Sequence, residues 1–366
     1  MCWLIRIVAF KKQTRRIDPP QTTSNPAPLM KIVSFYKSLP ISDPESFLDL
    51  TADQPRPGPR DLLVEVRAIS VNPVDTKIRA GGGPAKPGGE LPILGWDAAG
   101  IVKETGADVT LFKAGDEVYY AGSVDRPGSY AEFHCVDERI VGRKPRTLGF
   151  AEAAALPLTT ITAWEMLFDR LRIGRSAKGS LLIVGAAGGV GSIAIQLARQ
   201  LTDLTIIATA SRPETQEWCR RMGAHHVINH GQPLSGQVLA IAPGGVNYVI
   251  ALTRTEDHFD ELIESMTPQS ALALIENPAR PLEITKLKPK SISLHWEFMF
   301  TRPRYQTPDL GEQGRLLNEV AAAVDGGLIQ STMQANLGAI NAANMRQAHA
   351  VVESGRAVGK VVLAGF

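Results

Sequence analysis

One segment constrains the fold of this chain more than any other: an apolar stretch at residues 181–184 runs directly into a glycine-rich turn and then into a helical pattern. The turn and the start of the helix read Gly185-Ala186-Ala187-Gly188-Gly189-Val190-Gly191. Backbone N–H groups at a helix N-terminus bind phosphate, and a glycine there lets a pyrophosphate come close to the backbone. The segment therefore predicts a dinucleotide site with contacts from Gly185, Ala187, Gly188, Gly189, Val190 and Gly191. The alternative is an ordinary tight turn between a strand and a helix.

Strand and helix patterns alternate after this segment. The further predicted strands are residues 205–210, 246–252, 271–275 and 291–295, and the predicted helices are residues 190–200, 213–222, 259–266 and 312–324. Such alternation predicts a parallel sheet. Residues 30–156 differ, because short apolar runs broken by Gly and Pro predict a compact antiparallel β domain with little helix. Residues 359–363 predict a last strand that returns to this first domain.

Length and charge narrow the class of protein. With 366 residues the chain exceeds what a single hydrophobic core usually serves, so we predict two domains. Residues 30–157 and 298–366 form the first, and residues 158–297 form the nucleotide-binding domain. The chain has 39 Lys and Arg against 37 Asp and Glu, with no basic patch of the kind that binds nucleic acid. We also find no apolar stretch near the roughly 20 residues of a membrane span, so a small-molecule substrate is favoured.

The amino-terminal segment differs from the rest in composition. Residues 1–29 contain five basic residues against one acid, Asp18, and they continue into a stretch rich in Pro, Thr and Ser. We predict that residues 1–29 are a disordered extension, or that they arise from translation upstream of a true start at Met30. The cysteines, Cys2, Cys135 and Cys219, lack the paired spacing of a zinc site or a disulfide framework, which indicates a reducing, cytoplasmic location.

The end of the second predicted parallel strand bears on the choice of cofactor. An NAD-specific fold places Asp or Glu there to bond the ribose 2′-hydroxyl. This chain has Ala210-Ser211-Arg212 instead. A hydroxyl and a guanidinium suit a 2′-phosphate, so the sequence predicts NADPH, bound through Ser211 and Arg212. The alternative is that Ser211 only caps the helix beginning at Pro213 and that Arg212 is solvated.

Over residues 30–366 the chain resembles the medium-chain dehydrogenase/reductase superfamily. Zinc-dependent members carry a Val-Cys-His-Thr-Asp-like segment and then a Gly-His-Glu segment, where this chain has Val71-Asn72-Pro73-Val74-Asp75 and Gly95-Trp96-Asp97. Asn72 and Trp96 replace the cysteine and histidine ligands, and neither side chain substitutes for them on zinc. The cysteine-rich lobe of the structural zinc is missing as well. The chain thus resembles the zinc-free quinone oxidoreductase branch. This implies an α/β fold in which a Rossmann doubly wound parallel sheet is inserted in a GroES-like antiparallel β domain.

The resemblance also implies roles for single residues. Asn72 looks like the polar group beside the nicotinamide and the substrate, and Thr162 like the hydroxyl under the nicotinamide ring. Asp75, Lys77 or a water is left as the proton donor. The implied catalytic set is Asn72, Asp75 and Thr162, and the further cofactor contacts are Leu252, Phe298 and Lys360. Each role has a structural alternative. Asn72 could only form a turn before Pro73, and the Thr162 hydroxyl could only bond within its own helix. Phe298 could be a core aromatic residue, and Lys360 could be a surface lysine.

Together these features predict an NADPH-dependent oxidoreductase that transfers hydride to a quinone or an activated alkene without zinc and forms a homodimer. Without a Lewis acid, reduction of an electron-poor acceptor is easier than alcohol oxidation. Asn72 is the predicted donor to the developing oxyanion. The alternatives are an alkenal or enone reductase that does not use quinones, and an NADPH-binding protein with little turnover.

Two other features are predicted to be structural. The histidines at 225, 226 and 230 suggest metal ligands, but neighbouring residues of a strand face opposite ways, so we predict solvated or packed side chains. Cys135 lies in an apolar run, residues 130–136, and is predicted to be a core residue and not a nucleophile. The sequence therefore predicts no bound metal.

Overall fold

A computed structural model of the chain describes residues 28–81 and 91–366. Its strands are β1 Leu29–Ser34, β2 Leu48–Asp53, β3 Asp61–Val71, β4 Ala98–Thr105, β5 Glu117–Tyr120, β6 Phe133–Asp137, β7 Val141–Arg143, β8 Ser180–Val184, β9 Thr205–Thr209, β10 His226–Ile228, β11 Val246–Ala251, β12 Met266–Leu274, β13 Ser293–Trp296, β14 Met333–Asn336 and β15 Lys360–Ala364. Its α-helices are α1 Pro73–Gly81, α2 Phe150–Ala154, α3 Pro157–Trp164, α4 Gly189–Leu201, α5 Pro213–Arg221, α6 Leu234–Ile241, α7 Thr255–Ser265, α8 Thr301–Tyr305, α9 Glu312–Asp325 and α10 Ala342–Glu353. A π-helical turn, Glu165–Arg170, continues α3. Short 3-10 turns occupy Glu138–Ile140 and Ile284–Lys290.

The second half of the chain forms a parallel sheet. Within the described residues its order is β10-β9-β8-β11-β12-β13, and every neighbouring pair is parallel. The chain leaves β8 toward β9 on one side and returns to β11 on the other, so the order reverses between β8 and β11. In open α/β sheets, ligands bind beyond the carboxyl ends of the strands at such a switch point. The glycine turn that follows β8 lies at this place.

The first half and the carboxyl end of the chain share a second sheet. In the described ranges its order is β14-β15-β3-β4-β5-β7, with β6 paired to β3. Most pairs are antiparallel, including β15 with β3, whereas β14 and β15 run parallel. The predicted return of the last strand to the first domain is confirmed, and so is the α/β class with a parallel sheet and a mainly antiparallel sheet; β1 and β2 form a separate antiparallel pair. Tyr119 and Tyr120 on β5 are fully buried at the centre of the main apolar core.

Three local predictions are corrected. The Gly- and Pro-rich composition of residues 80–89 predicts a loop, but residues 80 and 81 belong to α1, because Pro73 at its first turn and the Asp75 carboxylate, bonded to the Asn72 N–H at 2.7 Å, start a helix there. The rest of that loop and residues 1–27 lie outside the described residues. Leu29 already belongs to β1, in which Met30 and Ile32 are buried. The predicted helix at residues 259–266 begins earlier, at Thr255, and Met266 belongs to β12.

The two sheets meet at the glycine turn. The Gly359 N–H, just before β15, donates to the Ala187 carbonyl at 2.9 Å, and Gly188 and Gly359 form a parallel bridge. Helix α3 packs on α4 beside this contact. The end of the parallel sheet and the last strand of the antiparallel sheet therefore share one cleft. Among the described helices, none has the length and apolar content that a membrane crossing requires.

Candidate cofactor and active site

The glycine turn is fixed from the neighbouring strand. Gly185 has a φ of +77°, a conformation that favours glycine. Its N–H donates to Thr209 Oγ1 at 3.1 Å, and the Ala186 N–H donates to the Thr209 carbonyl at 3.3 Å. Helix α4 begins at Gly189, so the N–H groups of its first turn have no acceptor one turn earlier. The turn thus presents the backbone donors that an anionic group needs.

The glycines after Gly185 serve different purposes. A Cβ added to Gly191 would lie 2.4 Å from the Ala186 carbonyl oxygen, so this glycine permits the close packing of helix on strand. A Cβ on Gly189 would lie 2.7 Å from Lys360 Cδ. A Cβ on Gly188 would find its nearest atom at 3.7 Å. An added methyl group at Gly188 would therefore meet no close protein atom, so this glycine is not required for packing.

This difference gives a matched pair of variants. We expect Gly191→Ala to lower the free energy of unfolding by about 1–3 kcal/mol, because the new methyl group overpacks against backbone. Gly188→Ala should leave stability within about 0.5 kcal/mol of the parent and should weaken nucleotide binding, because its methyl group lies where a phosphate would approach. Urea unfolding and a fluorescence titration with NADPH measure the two effects. Unchanged NADPH affinity in Gly188→Ala would contradict the predicted phosphate contact.

Lys360 lies beneath the glycine turn and is only 3% exposed. Its ammonium donates to the Val71 carbonyl at 3.1 Å and to Asn72 Oδ1, and it pairs with Asp97 Oδ2 at 3.1 Å. The alternative of a surface lysine is therefore wrong. The Gly189 contact brings the Lys360 stem against the turn, as the predicted cofactor role requires. That role stays a prediction.

Asn72 and Asp97 complete a buried polar network around this ammonium. Asn72 Nδ2 donates to Asp97 Oδ2 at 2.9 Å and to the Ser70 carbonyl at 3.4 Å. Asp97 Oδ1 accepts the Leu158 N–H at 2.8 Å, at the start of α3. Burial raises the pKa of Asp97, and the nearby Lys360 charge opposes that rise. The long bond to Ser70 is the one that a substrate oxygen would most easily replace, and the predicted donor role of Asn72 depends on that exchange.

The Asp75 carboxylate fixes the backbone of Asn72 by a hydrogen bond. It is fully buried, and its Oδ2 accepts the Asn72 N–H and the Tyr130 hydroxyl, the latter at 3.1 Å. The Tyr130 hydroxyl also lies 3.1 Å from Nε2 of the buried His349. Burial raises the pKa of Asp75 to about 7, against the opposing effects of the Asn72 N–H and the Lys360 charge. The other proposed donor, Lys77, is exposed and pairs with Glu276 at 3.1 Å, beyond the end of β12.

The remaining predicted contacts lie around the same cleft. The Thr162 hydroxyl donates to the Leu158 carbonyl at 2.8 Å, within its own helix, which leaves its oxygen free to accept. The Leu252 N–H bonds to the Val184 carbonyl at 3.1 Å, so this residue lies beside the glycine turn. Phe298 is 44% exposed, whereas Met299 and Phe300 are buried. The aromatic run is thus divided, and only Phe298 is available as a wall of the site.

The segment after β9 does not support the alternative in which Ser211 caps the helix α5. Arg212 is the residue at the start of α5, where Thr215 Oγ1 exchanges hydrogen bonds with the Arg212 backbone, so Ser211 is not the cap. The Arg212 side chain pairs with Glu214 at 3.0 Å and donates to the Arg356 carbonyl at 2.9 Å. Ser211 is exposed. Both side chains are on the surface at the end of β9, beyond Thr209.

The positions that correspond to zinc ligands carry an amide, Asn72, and an indole, Trp96. Trp96 is buried, and its indole N–H donates to the Ser123 carbonyl at 2.9 Å. Asn72 and Asp97 already face a cation, the Lys360 ammonium. In residues 28–81 and 91–366 no group of three or more His, Cys, Asp and Glu side chains has a metal-binding arrangement. These residues do not fit a catalytic zinc.

The histidines and Cys135 have ordinary surroundings, with one correction. His225 and His226 are exposed, His225 Nδ1 accepts the Ile206 N–H at 2.9 Å, and His230 Nδ1 lies 3.1 Å from Thr209 Oγ1. Cys135 is half-buried, so the prediction of a core residue is wrong, although it lies on a strand, β6, as its apolar run indicates. Burial raises the pKa of its thiol to about 12, so it is a poor nucleophile.

Three residues that hold this site together have no role predicted from the sequence: Asp97, Thr209 and Gly359. Asp97 was available as the acid after Trp96, but its partners are far away in the chain. Thr209 precedes the cofactor-selecting segment and holds the glycine turn. Gly359 has a φ of +53°, and an added Cβ would lie 2.3 Å from the Thr332 carbonyl oxygen. The sequence indicates the close contact between the two sheets at Gly359 only by the presence of a glycine before Lys360.

Two families match successive parts of the chain. Residues 58–157 match the alcohol dehydrogenase GroES-like domain, and residues 189–309 match the family described as zinc-binding dehydrogenase. The first match contains Asn72 and Asp97, and the second begins at the end of the glycine turn. The two matches therefore fall on the two sheets that share the cleft.

Several known proteins resemble the chain over most of its length. A zinc-type alcohol dehydrogenase-like protein from Staphylococcus aureus is 38% identical over 338 residues, which is 91% of this chain and 99% of that protein. A quinone oxidoreductase from Lama guanicoe is 30% identical, over 84% of this chain and 90% of its own. Among solved structures, a protein from Rhizobium etli CFN 42, provisionally classed as a zinc-dependent alcohol dehydrogenase, has 55% identity and a TM-score of 0.90, over 93% of this chain and 99% of its own.

Proposed function

The chain belongs to the medium-chain dehydrogenase/reductase superfamily, in its quinone oxidoreductase-like branch, and we propose that it is an NADPH-dependent reductase that passes hydride to a quinone or an activated alkene without zinc. That it is an oxidoreductase follows from the family. The finer proposal depends above all on one observation: Asn72, at the position of the cysteine ligand, and the neighbouring Asp97 are bonded to the buried Lys360 ammonium, so a cation already occupies this polar network.

The preference for NADPH is supported by Arg212 and Ser211. Arg212 is held beside the end of β9 by its bond to the Arg356 carbonyl, and no acid occupies the ribose position in the Ala210–Ser211–Arg212 segment. Its present partner, Glu214, has a side chain that is 61% exposed, so water readily replaces this ion pair. A phosphate accepts two parallel bonds from a guanidinium and would displace the carboxylate.

The chain's own residues would then position the reactants. Bound NADPH supplies the hydride from its nicotinamide ring. The Thr162 oxygen, which is free to accept, would bond a carboxamide N–H of the bound cofactor, and the exposed Phe298 would provide an apolar wall for the ring. Asn72, supported by Asp75 and Lys360, donates to the oxygen on which charge develops. Each acceptor also takes one proton, which we assign to a water or to Lys77 at the exposed edge of the cleft.

The proposal of a metal-free site predicts the zinc content of the protein. We expect the purified protein to contain no stoichiometric zinc, because the residues at the ligand positions are an amide and an indole whose N–H is already bonded. Elemental analysis after dialysis against a chelator checks this. One zinc per chain that is lost on chelation together with activity would overturn the metal-free assignment, and it would favour the activity suggested by the names of the Staphylococcus aureus and Rhizobium etli relatives.

A panel of acceptors tests the reaction. The protein should oxidise NADPH in the presence of quinones or enones, and aldehydes and primary alcohols should be poor substrates in either direction. Turnover with enones but not with quinones would support the alkenal and enone reductase alternative. Tight NADPH binding without turnover on any acceptor would support a binding protein. Each outcome is read from the loss of reduced-nicotinamide absorbance.

We also infer a cytoplasmic homodimer. Strand β13 is an edge of the parallel sheet within the described residues, and Trp296 at its end is 49% exposed. An open edge with an exposed aromatic side chain suits pairing with a second copy of the strand. Cys135 and Cys219 are free thiols, which agrees with a reducing compartment. Sedimentation velocity tests the dimer, and Ser293→Pro should shift the distribution toward monomer.

A further inference from the structure

Behind the nicotinamide side of the cleft lies a buried pair of acids. Glu165 begins the π-helical turn that continues α3, three residues after Thr162, and Glu297 lies between β13 and Phe298. Both side chains have 0% exposure. Each acid has one oxygen with an Arg partner: Glu165 Oε1 is 2.7 Å from Arg302, and Glu297 Oε2 is 2.8 Å from Arg170. The pair thus connects the two elements that carry Thr162 and Phe298.

Each acid also has one oxygen without a hydrogen bond. Glu297 Oε1 and Glu165 Oε2 are both buried and have no hydrogen-bond partner among residues 28–81 and 91–366. Arg170 Nη2 lies 3.5 Å from Glu165 Oε2, too far for a good bond. Two unpaired carboxylate oxygens in one buried cluster are costly. Both carboxyl groups lie against the same guanidinium, since Arg170 is 2.8 Å from Glu297 Oε2 and 3.5 Å from Glu165 Oε2, and one shared proton would give both unpaired oxygens a partner.

The charges around the pair favour such a proton. The two guanidinium groups, Arg170 and Arg302, face four acids, because Arg302 also pairs with Asp169 and Asp309 at 2.9 Å each. The nearby His295 has its pKa lowered by burial and by two arginines, Arg172 and Arg170, so it adds no positive charge at neutral pH. Burial, and then the charge of Glu165, raise the pKa of Glu297 to about 9.

The pair also holds the wall of the cleft. Gln313 on α9 donates from one amide nitrogen to Glu165 Oε1 at 3.1 Å and to the Met299 carbonyl at 2.6 Å. The next residue, Phe300, packs edge-to-face on Trp96 with ring centroids 6.1 Å apart, and on Phe298 at 5.5 Å. The position of Phe298 therefore depends on the acids through Gln313 and through the backbone of Glu297.

We propose that Glu297 and Glu165 share one proton, bound to Glu297 Oε1 and donated to Glu165 Oε2, and that this proton fixes Phe298 beside the nicotinamide site. Glu297 is then a positioning residue, and loss of its proton above neutral pH weakens cofactor binding. The link to the cofactor rests on the proposed function. The shared proton itself does not.

Stability against pH tests the proton alone. Because the pKa of Glu297 is raised from its ordinary 4.5 to about 9, the native chain binds a proton between these values that the unfolded chain has lost. This contribution to stability is complete below pH 4.5 and is lost as pH rises through about 9. The urea midpoint of the parent should fall across that range more steeply than the midpoint of Glu297→Gln, whose amide replaces the donated hydrogen. Glu264→Gln, on the exposed surface of α7, should follow the parent.

Infrared difference spectroscopy keeps the test independent of any failure to fold. Because burial also raises the pKa of Asp75 and of Asp97, the informative signal is the part of the protonated-carboxyl carbonyl band that the parent shows at neutral pH and Glu297→Gln lacks, and this part should disappear as pH is raised past about 9. Its absence at neutral pH, or identical pH profiles of unfolding for the parent and Glu297→Gln, would overturn the shared proton.

NADPH titrations at several pH values distinguish the positioning role of Glu297 from the proposed reductase function. From pH 7 to pH 10 the dissociation constant for NADPH should rise about tenfold in the parent and clearly less in Glu297→Gln. Equal rises would overturn the positioning role while leaving the reductase proposal intact. If neither protein binds NADPH at any pH, the proposed function fails, and the unfolding and infrared results still decide the shared proton.

Discussion

Replacement of Arg212 with Glu should weaken NADPH binding by roughly 10- to 150-fold and leave NADH binding nearly unchanged. A charge-assisted hydrogen bond contributes about 1.5–3 kcal/mol, and each 1.4 kcal/mol is about tenfold in affinity. The two cofactors differ only in the 2′-phosphate, so a residue that contacts this group alone changes one affinity and not the other. The introduced carboxylate would also repel the phosphate, alongside Glu214, and would resemble the acid of NAD-specific folds.

The control for this experiment is Arg220→Glu. Arg220 is exposed on the same helix and pairs with Glu217 at 3.5 Å, so the variant changes net charge equally without touching the end of β9. It should keep the parent's preference. Equal binding of both cofactors by the parent, or an equal loss of both in Arg212→Glu, would show that Arg212 does not contact the 2′-phosphate. Isothermal titration of the parent and both variants with each cofactor measures these affinities.

Removal of the buried cation should have the largest effect on stability. Lys360→Met keeps the length of the side chain and leaves Asp97 buried with no opposite charge, so we expect the free energy of unfolding to fall by about 3–5 kcal/mol. The loss should shrink as pH falls. Because burial raises the pKa of Asp97, this acid takes up a proton in the variant and the unpaired charge disappears. Urea unfolding between pH 5 and pH 8 follows both effects.

A second substitution distinguishes lost charge from lost packing. The double variant Asp97→Asn with Lys360→Met removes both charges, and it should be more stable than Lys360→Met alone and less dependent on pH. An exposed lysine, Lys113, which pairs with Asp116 at 2.7 Å, provides the control. Lys113→Met should cost less than about 1 kcal/mol, as surface ion pairs do. Equal costs for Lys113→Met and Lys360→Met would contradict the buried network.

The sequence predicts the local elements of this site better than their connections. The glycine turn, the strand before it and the helix after it follow from adjacent residues whose pattern has a physical reason, so their places agree with the structure. Lys360 was harder to interpret, because nothing in residues 358–362 shows that the ammonium faces Asp97 or that Gly359 touches the glycine turn. That contact depends on the path of a chain end across the other sheet.

Buried polar networks are the part that sequence does not specify. Asp75 was one of three candidate proton donors, with Lys77 and a water, yet its surroundings depend on Tyr130 and His349, which come from two distant parts of the chain. Glu165 and Glu297 gave no signal in sequence, since single acids in a helix and after a strand are usually solvated. Their role appears only when the fold buries both side chains beside Arg170.

The most direct test of the central claim is a primary kinetic isotope effect. After exhaustive chelation, the protein is given NADPH carrying deuterium on either face of the nicotinamide C4, together with the best acceptor of the panel. We predict slower turnover with one of the two labelled forms, an unchanged rate with the other, and no change in either rate when zinc is added. An activity that returns only with zinc, or the absence of NADPH oxidation with every quinone and enone despite tight binding, would contradict a metal-free hydride transfer.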